Sequence, residues 1–464
     1  MNCTGILPLI ACAALTLLSS LGLPHVATAQ TLEWVRQEGA DDLPWRGAGV
    51  FADGLGNVYV SGAIGHTGSE NMDGYLAKYD AAGERQWSQQ YDFIGRHDQF
   101  YDVRADHLGN VYAAGNGRAS SPDIMHGDAI IAKFASDGSL LWERQLGTNN
   151  LFVESYRSVA VDGDGSVYAG GATTDQDGDA LLTKYSADGD VVWAHQLGTD
   201  VYDTIYSIVT DVSGNLYAAG STEGDWGAPN AGGADGFVSK FDSAGNIVWT
   251  RQIGTSETDR ARGVAADALG NVFVTGDTRG DLAGANAGDY DSFLTRFDAE
   301  GNVVWTRQFG TDAFDRAWSV ATDGLGNAFV AGWTRGGDFG GSDSSGDDAF
   351  LTMFSASGQQ LWTRLLTTPV LDQNRAVATD GRGAVYISGY TDGSLAQPNA
   401  AEWDLFLAKY TVVPEPSAGV LLMLGGIAAA AFERRGRAGR YVHLGTISTA
   451  QSTPSATPCD QRSG

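Results

Sequence analysis

One short phrase recurs seven times: a Gly/Asn turn followed by a strand that closes on glycine. It reads GLGNVYVSG to Gly62, HLGNVYAAG to Gly115, GDGSVYAG to Gly170 and VSGNLYAAG to Gly220. It continues as ALGNVFVTG to Gly276, GLGNAFVAG to Gly332 and GRGAVYISG to Gly389, with 50 to 57 residues between successive copies. Three more landmarks travel with it. A short apolar strand such as SIVTD or SVATD precedes each turn, and a strand opening on aspartate follows (Asp73, Asp128, Asp179, Asp235, Asp291, Asp348, Asp404). The last is an aromatic-x-x-x-Gly-x-x-x-Trp turn and strand, as in FDSAGNIVW and FDAEGNVVW. Each unit therefore offers four short strands with period-two alternation. A fixed period of this length signals an array, and a four-stranded unit at that period is a propeller blade.

The tryptophans set the number of blades and the way the ring closes. They stand at Trp34, Trp87, Trp142, Trp193, Trp249, Trp305 and Trp362. Trp34, in TLEWVRQEG, precedes any complete blade, and the final unit, about Asp372 to Tyr410, has no tryptophan strand after it. The N-terminal strand is thus expected to complete the last blade, which hides a sheet edge and joins the two ends of the ring. The fold class is all-β: a seven-bladed β-propeller with four-stranded blades. The repeats resemble the bacterial SBBP β-propeller repeat over Thr31–Tyr410. They are also similar to NHL repeats, which are shorter and tend to end in Asp. The resemblance implies the fold and little about function, because propellers host lyases, oxidoreductases, hydrolases and binding platforms.

Charge narrows the partners. With 29 basic and 56 acidic residues the net charge is -27, and such a polyanion repels phosphate backbones, so nucleic-acid binding by the body is excluded. The N-terminus has an apolar run from about Ile6 to Leu23 and then ATA before Gln30, which reads as a signal peptide over residues 1–29. LIAC at Leu9–Cys12 resembles a lipoprotein box, but the apolar run continues past it. Cys3, Cys12 and Cys459 lie outside Thr31–Tyr410, so packing alone must stabilise the body.

Two residue sets are candidate sites. The Gly-x-x-x-Trp turn resembles the tryptophan-docking motif of quinoprotein dehydrogenases, which would imply a quinone; those propellers usually have eight blades, and many carry a vicinal cysteine pair. The expected role of each Trp here is packing between neighbouring blades. The second set lies eight residues before each turn Asp: Asp98, Glu154, Asp203, Asp259, Asp315 and Asp372, with Trp45 in the remaining blade beside Asp41 and Asp42. On innermost strands these carboxylates form a ring at one mouth of the axis, able to hold Ca²⁺ or attract a cationic ligand. Arg46, Arg260 and Arg316 follow immediately in three blades, and Arg157 and Arg375 lie three residues on in two others. The alternative role is architectural: each Asp accepts backbone N–H groups or pairs with its Arg. The strand-opening Asp73–Asp404 set is expected to cap turns far from the axis. Loops such as STEGDWGAPNAGGAD have a Ca²⁺-compatible composition without an EF-hand pattern. No cofactor other than Ca²⁺ is indicated.

No Gly-x-Ser-x-Gly elbow, phosphate loop or His-Glu-x-x-His occurs, and no nucleophile, base and orienter stand together, so no catalytic residue is assigned. Residues 412–437, VVPEPSAGVLLMLGGIAAAAFERRGR, resemble the PEP-CTERM sorting signal: Pro414, Glu415 and Pro416, an apolar run from Ala418 to Phe432, then Arg434, Arg435 and Arg437. The resemblance implies export, transient insertion in the inner membrane and processing by an exosortase in a Gram-negative-type bacterium that makes extracellular polysaccharide. Fifteen residues rise about 22 Å as a helix, short of the roughly 30 Å hydrocarbon core. The polar, Ser/Thr-rich tail 438–464 departs from such signals and is expected to be disordered. The sequence thus suggests an exported propeller of the cell surface or matrix that binds extracellular polysaccharide or surface proteins. The alternatives are an extracellular lyase or glycan hydrolase working at the axial mouth, and a structural spacer.

Overall fold

The first hairpin of every repeat is organised by its own aspartate. Asp53 Oδ1 accepts the N–H groups of Leu55 and Asn57 at 2.9 and 2.8 Å, and Asn57 Nδ2 donates to Oδ2 at 2.7 Å. Asp106, Asp211, Asp267 and Asp323 repeat this arrangement. The side chain does the work of a turn template, so an Asp-x-x-Gly-Asn sequence becomes a tight hairpin wherever two alternating strands flank it.

A computed structural model describes residues 28–39, 45–65, 72–92, 95–119, 127–147, 155–173, 178–335, 339, 346–400 and 403–414. Apart from Pro414 they belong to one unit, Thr28–Val413, and among them there is no helix. The chain opens with β1 (Thr28–Glu38). Blade 1 is β2 (Trp45–Ala52), β3 (Val58–Gly65), β4 (Met72–Tyr79) and β5 (Arg85–Tyr91). Blade 2 is β6 (Gly95–Ala105), β7 (Val111–Ala119), β8 (Gly127–Phe134) and β9 (Leu140–Leu146). Blade 3 is β10 (Ser155–Val161), β11 (Val167–Ala172), β12 (Ala180–Tyr185) and β13 (Val191–Leu197). Blade 4 is β14 (Asp203–Thr210), β15 (Leu216–Thr222), β16 (Asp235–Phe241) and β17 (Ile247–Ile253). Blade 5 is β18 (Asp259–Ala266), β19 (Val272–Thr278), β20 (Asp291–Phe297) and β21 (Val303–Phe309). Blade 6 is β22 (Phe314–Thr322), β23 (Ala328–Arg335), β24 (Asp347–Phe354) and β25 (Gln360–Leu366). Blade 7 has β26 (Asp372–Thr379), β27 (Ala384–Thr391) and β28 (Asp404–Pro414), and its fourth strand is β1.

The architecture is therefore the seven-bladed, four-stranded ring read from the repeats, closed by the N-terminal strand. The first strands of successive blades touch one another all the way round, β26 meeting β2 again, so they surround the axis. Apolar side chains of facing sheets fill the wedge between blades. Tyr217 and Val238 of blade 4 pack with Val264, Val274 and Phe293 of blade 5. The closing junction is built the same way, from Val50, Val60 and Tyr75 of blade 1 against Tyr386, Leu405 and Leu407 of blade 7.

The outer strands add a second joint. Trp249 Nε1 donates to Ala299 O in the next blade at 3.3 Å, and Arg251, its guanidinium 5.4 Å from the Trp249 ring, donates from Nε to Gly301 O at 2.7 Å. Gly301 has φ 78°, and a Cβ there would lie 2.8 Å from the Trp249 ring, so only glycine fits. The tryptophans thus sit between neighbouring blades. Trp34 and Arg36 of β1 make the same bonds to Ala81 and Gly83, so one strand closes both the last sheet and the last junction.

The ring has two unlike faces. Hairpins after the first and third strands of each blade lie on one, the hairpin face. Connections after the second and fourth strands lie on the other, the loop face.

Candidate axial site

Every inner strand carries a β-bulge at the same position, three residues after the candidate carboxylate or, in blade 1, after Trp45. The register skips one residue against the second strand at Ala48, Tyr101, Arg157, Tyr206, Arg262, Trp318 and Arg375 in blades 1 to 7. A bulge leaves a residue outside the ladder and re-aims its side chain. Here it aims all seven at the axis, where they line a cavity of about 400 Å³.

From blade 2 to blade 7 the bulge residues alternate aromatic and arginine. Arg157 lies 5.8 Å from the Tyr101 ring and 5.7 Å from Tyr206; Arg262 lies 5.3 Å from Tyr206 and 4.4 Å from Trp318. Arg375 lies 4.3 Å from Trp318 and, with alanine on its other side, 5.3 Å from Tyr390. The alternation keeps a ring of guanidiniums from sitting side by side. Each gains the quadrupole attraction of its aromatic neighbours, and its orientation is fixed. Arg46 and Arg104 also reach the wall, and Asp102, bonded to Arg104 at 2.8 Å, is the one carboxylate on it among the described residues.

Behind the wall of blades 5 and 6 stands a buried carboxylate that no other blade has at the equivalent place. Asp277, directly after the strand glycine Gly276, has a fully buried side chain bonded to Arg262 Nε. Arg260 and Arg316 approach it at 3.6 and 3.5 Å. Burial, and repulsion from Arg262, hold Arg316 down to about 10, still cationic at neutral pH. One carboxylate thus serves three arginines, and Arg157 and Arg375 on the walls of blades 3 and 7 form no ion pair among the described residues.

Of the carboxylates singled out from the sequence, Asp98, Asp203, Asp259, Asp315 and Asp372 are described, and none of them is on the wall of this cavity. Asp203 Oδ2 accepts from Thr199 N and Oγ1 at 2.5 and 2.9 Å, and Asp259, Asp315 and Asp372 repeat the bond with Thr255, Thr311 and Thr368. Asp98 is likewise buried. Burial pushes the carboxyls of Asp259, Asp315 and Asp372 above the usual range, and their threonine bonds oppose it. The nearby Asp235, Asp291 and Asp348 of the strand-opening set add to the rise, so that set comes closer to the inner strands than its position on the third strand suggests. Asp235 and Asp291 accept loop N–H groups of Ala231 and Ala287 and the amides of Gln252 and Gln308, which is turn capping. Arg260 and Arg316 converge on Asp277, and neither forms an ion pair with the carboxylate that precedes it. Among the described residues no three His, Cys, Asp or Glu side chains are grouped to hold a metal ion.

Glu154, Asp41, Asp42, residues 1–27 of the expected signal peptide 1–29, Glu415, Pro416, the apolar run, Arg434, Arg435, Arg437 and the tail lie outside the described residues. Pro414 ends β28. No described helix is long and apolar enough to cross a membrane.

Comparison with known proteins supports the repeat. The SBBP β-propeller repeat matches residues 192–225, 248–283 and 304–340. Each match begins in the outer strand of one blade and runs through the inner strand of the next, so the sequence repeat straddles the blade boundary. A regulatory protein, FlaEY of Caulobacter vibrioides, is 31% identical over 41% of this chain and 23% of its own length. An uncharacterized WD repeat-containing protein of Acanthamoeba polyphaga mimivirus is 24% identical over 32% of this chain and 14% of its own. The chain therefore spans less than a quarter of the length of these relatives. Among solved structures, quinohemoprotein alcohol dehydrogenase from Comamonas testosteroni aligns at 12% identity with a TM-score of 0.45, covering 82% of this chain and 76% of that one. Sqt1 from Chaetomium thermophilum aligns at 10% identity and 0.44, covering 84% and 100%.

Proposed function

We propose that this propeller of SBBP repeats is an exported binding protein of the cell surface or matrix, and that its axial cavity takes an anionic ligand of the acidic-sugar class. The observation that carries the reading is the bulge ring, which turns Arg157, Arg262 and Arg375 toward one cavity with an aromatic braced on each. Guanidinium forks match carboxylate geometry, and aromatic walls suit a sugar ring. Both the cavity volume and the departure of its lining from sevenfold repetition favour a single small ligand or one end of a chain. The ligand's charge is then opposite to the one suggested by the carboxylate ring, because Asp203, Asp259, Asp315 and Asp372 are spent on threonines. For the same reason they offer little to acid–base chemistry at this mouth, which favours binding over hydrolysis or elimination.

The sorting signal and leader supply the location in this proposal: processing by an exosortase after export, and delivery to a surface rich in extracellular polysaccharide. A glycan array carrying uronic-acid, sulfated and neutral oligosaccharides, probed with and without a Ca²⁺ chelator, tests it. Acidic glycans are expected to bind in both conditions. Binding confined to neutral glycans, or lost on chelation, contradicts the anionic site.

A further inference from the structure

The hairpin face carries most of the large apolar side chains that the described residues leave exposed. At the tips of its inner hairpins stand Leu55, Leu108, Val212, Leu269 and Leu325, between 70% and 83% exposed. Pairs that open the outer strands of blades 2 to 5, such as Val191 and Val192 or Val303 and Val304, extend the patch outward. Of the large apolar side chains exposed among the described residues, all but Val201, Tyr202 and Val370 lie toward this end of the blades. Scattered apolar side chains need no explanation, whereas a patch gathered on one face of a ring does.

Both ends of the described chain leave from the same face. β28 runs from the loop face to the hairpin face, where Val412 N donates to Gly383 O beside the hairpin of blade 7, and antiparallel β1 enters there. The apolar run begins at Ala418, four residues after Pro414, a reach of at most about 14 Å. A bilayer entered by that run would therefore be met no farther than that reach from the end of β28, on the side of the ring that carries the leucine tips. The neighbouring turn carboxylates, Asp53, Asp106, Asp211, Asp267 and Asp323, stay at this face bonded within their own turns, which disfavours anionic lipid.

We infer that the hairpin face is a membrane-resting surface: the propeller lies with its Leu/Val tips on a zwitterionic bilayer and its axial arginines, set in the half of the channel nearer the loop face, turned away from it. This rests on the reading of Ala418–Phe432 as a run that enters the membrane.

The test uses the full chain with Cys3, Cys12 and Cys459 replaced by serine and one cysteine introduced as Leu269→Cys, Leu325→Cys or, on the loop face, Ser256→Cys. Each is labelled with an environment-sensitive dye and mixed with phosphatidylcholine vesicles bearing brominated acyl chains. Expected are sedimentation of all three with the vesicles, and blue-shifted, quenched emission at positions 269 and 325 but not at 256. Sedimentation without quenching at 269 and 325 overturns the inference and leaves the membrane-entering run intact. Failure to sediment removes the run and the inference together. A blue shift that grows with protein concentration in the absence of vesicles assigns the face to a second copy of the chain and likewise overturns it.

Discussion

Asp315 shows how a carboxylate on the inner strand is fixed by its neighbours in the fold. Its Oδ2 takes two bonds from Thr311, and burial holds its carboxyl above the ordinary range. The folded protein then binds this proton more tightly than the unfolded chain does. Stability from this group accordingly rises as pH falls from neutral through the raised value toward 3.8, and is lost again as pH climbs through that value. Asp315→Asn keeps an oxygen for Thr311 and removes the charge. Urea unfolding should find the variant close to wild type in mild acid and equal or more stable at neutral pH. Asp315→Ala leaves the Thr311 groups without an acceptor and should lose about 1 to 3 kcal/mol. Equal losses for both variants at neutral pH would mean that the charge itself is needed, as in a cation site. At this scale the sequence was half legible. Arg157 and Arg375 stood out three residues after the carboxylates, an offset that Tyr101, Tyr206, Arg262 and Trp318 share once the repeats are aligned, but strict period-two alternation gives no reason to turn all of them to the axis. The bulge that does so is an event of register, and it leaves no residue signature of its own. Asp277 was hidden for a related reason, because it follows the strand glycine on the second strand and meets Arg262 only once the hairpin forms.

Among the elements, β1 has two roles. It pairs with β28 to finish blade 7, and through Trp34 and Arg36 it grips the outer turn of blade 1. Trp249 makes only the second kind of joint, between blades already complete within the sequence. Trp34→Ala and Trp249→Ala should each cost about 3 kcal/mol, the low end for truncating a large aromatic. Hydrogen exchange should separate them. Loss of Trp34 frees the strand that locks the ring and should speed exchange across blades 7 and 1, whereas loss of Trp249 should stay local to blades 4 and 5. Matching exchange maps would remove β1 from its place as the clasp. This level was the most readable in the sequence, because Asp, Gly and Trp each mark a turn or joint with a steric requirement. The closure followed from a tryptophan with no blade before it and a blade with no tryptophan after it.

The whole molecule sets a local cationic well inside a chain of net charge -27. At low ionic strength the long-range field repels an anion from a site whose short-range contacts attract it. Salt screens the first over about 10 Å and reaches partly buried contacts much less, so association with an anionic ligand should speed up on going from low to physiological salt. Arg157 and Arg375, which among the described residues hold no buried carboxylate partner as Arg262 does, are the groups expected to bind that anion. Isothermal titration of an oligogalacturonate into the full chain at physiological salt tests this assignment most directly, against Arg157→Ala, Arg375→Ala and the exposed control Arg382→Ala. Expected are one ligand per ring, an affinity reduced about tenfold to hundredfold by either axial change through loss of charge-assisted bonds, and no change in the control. Binding that is indifferent to Arg157 and Arg375, or no saturable binding to the unaltered chain, would contradict it.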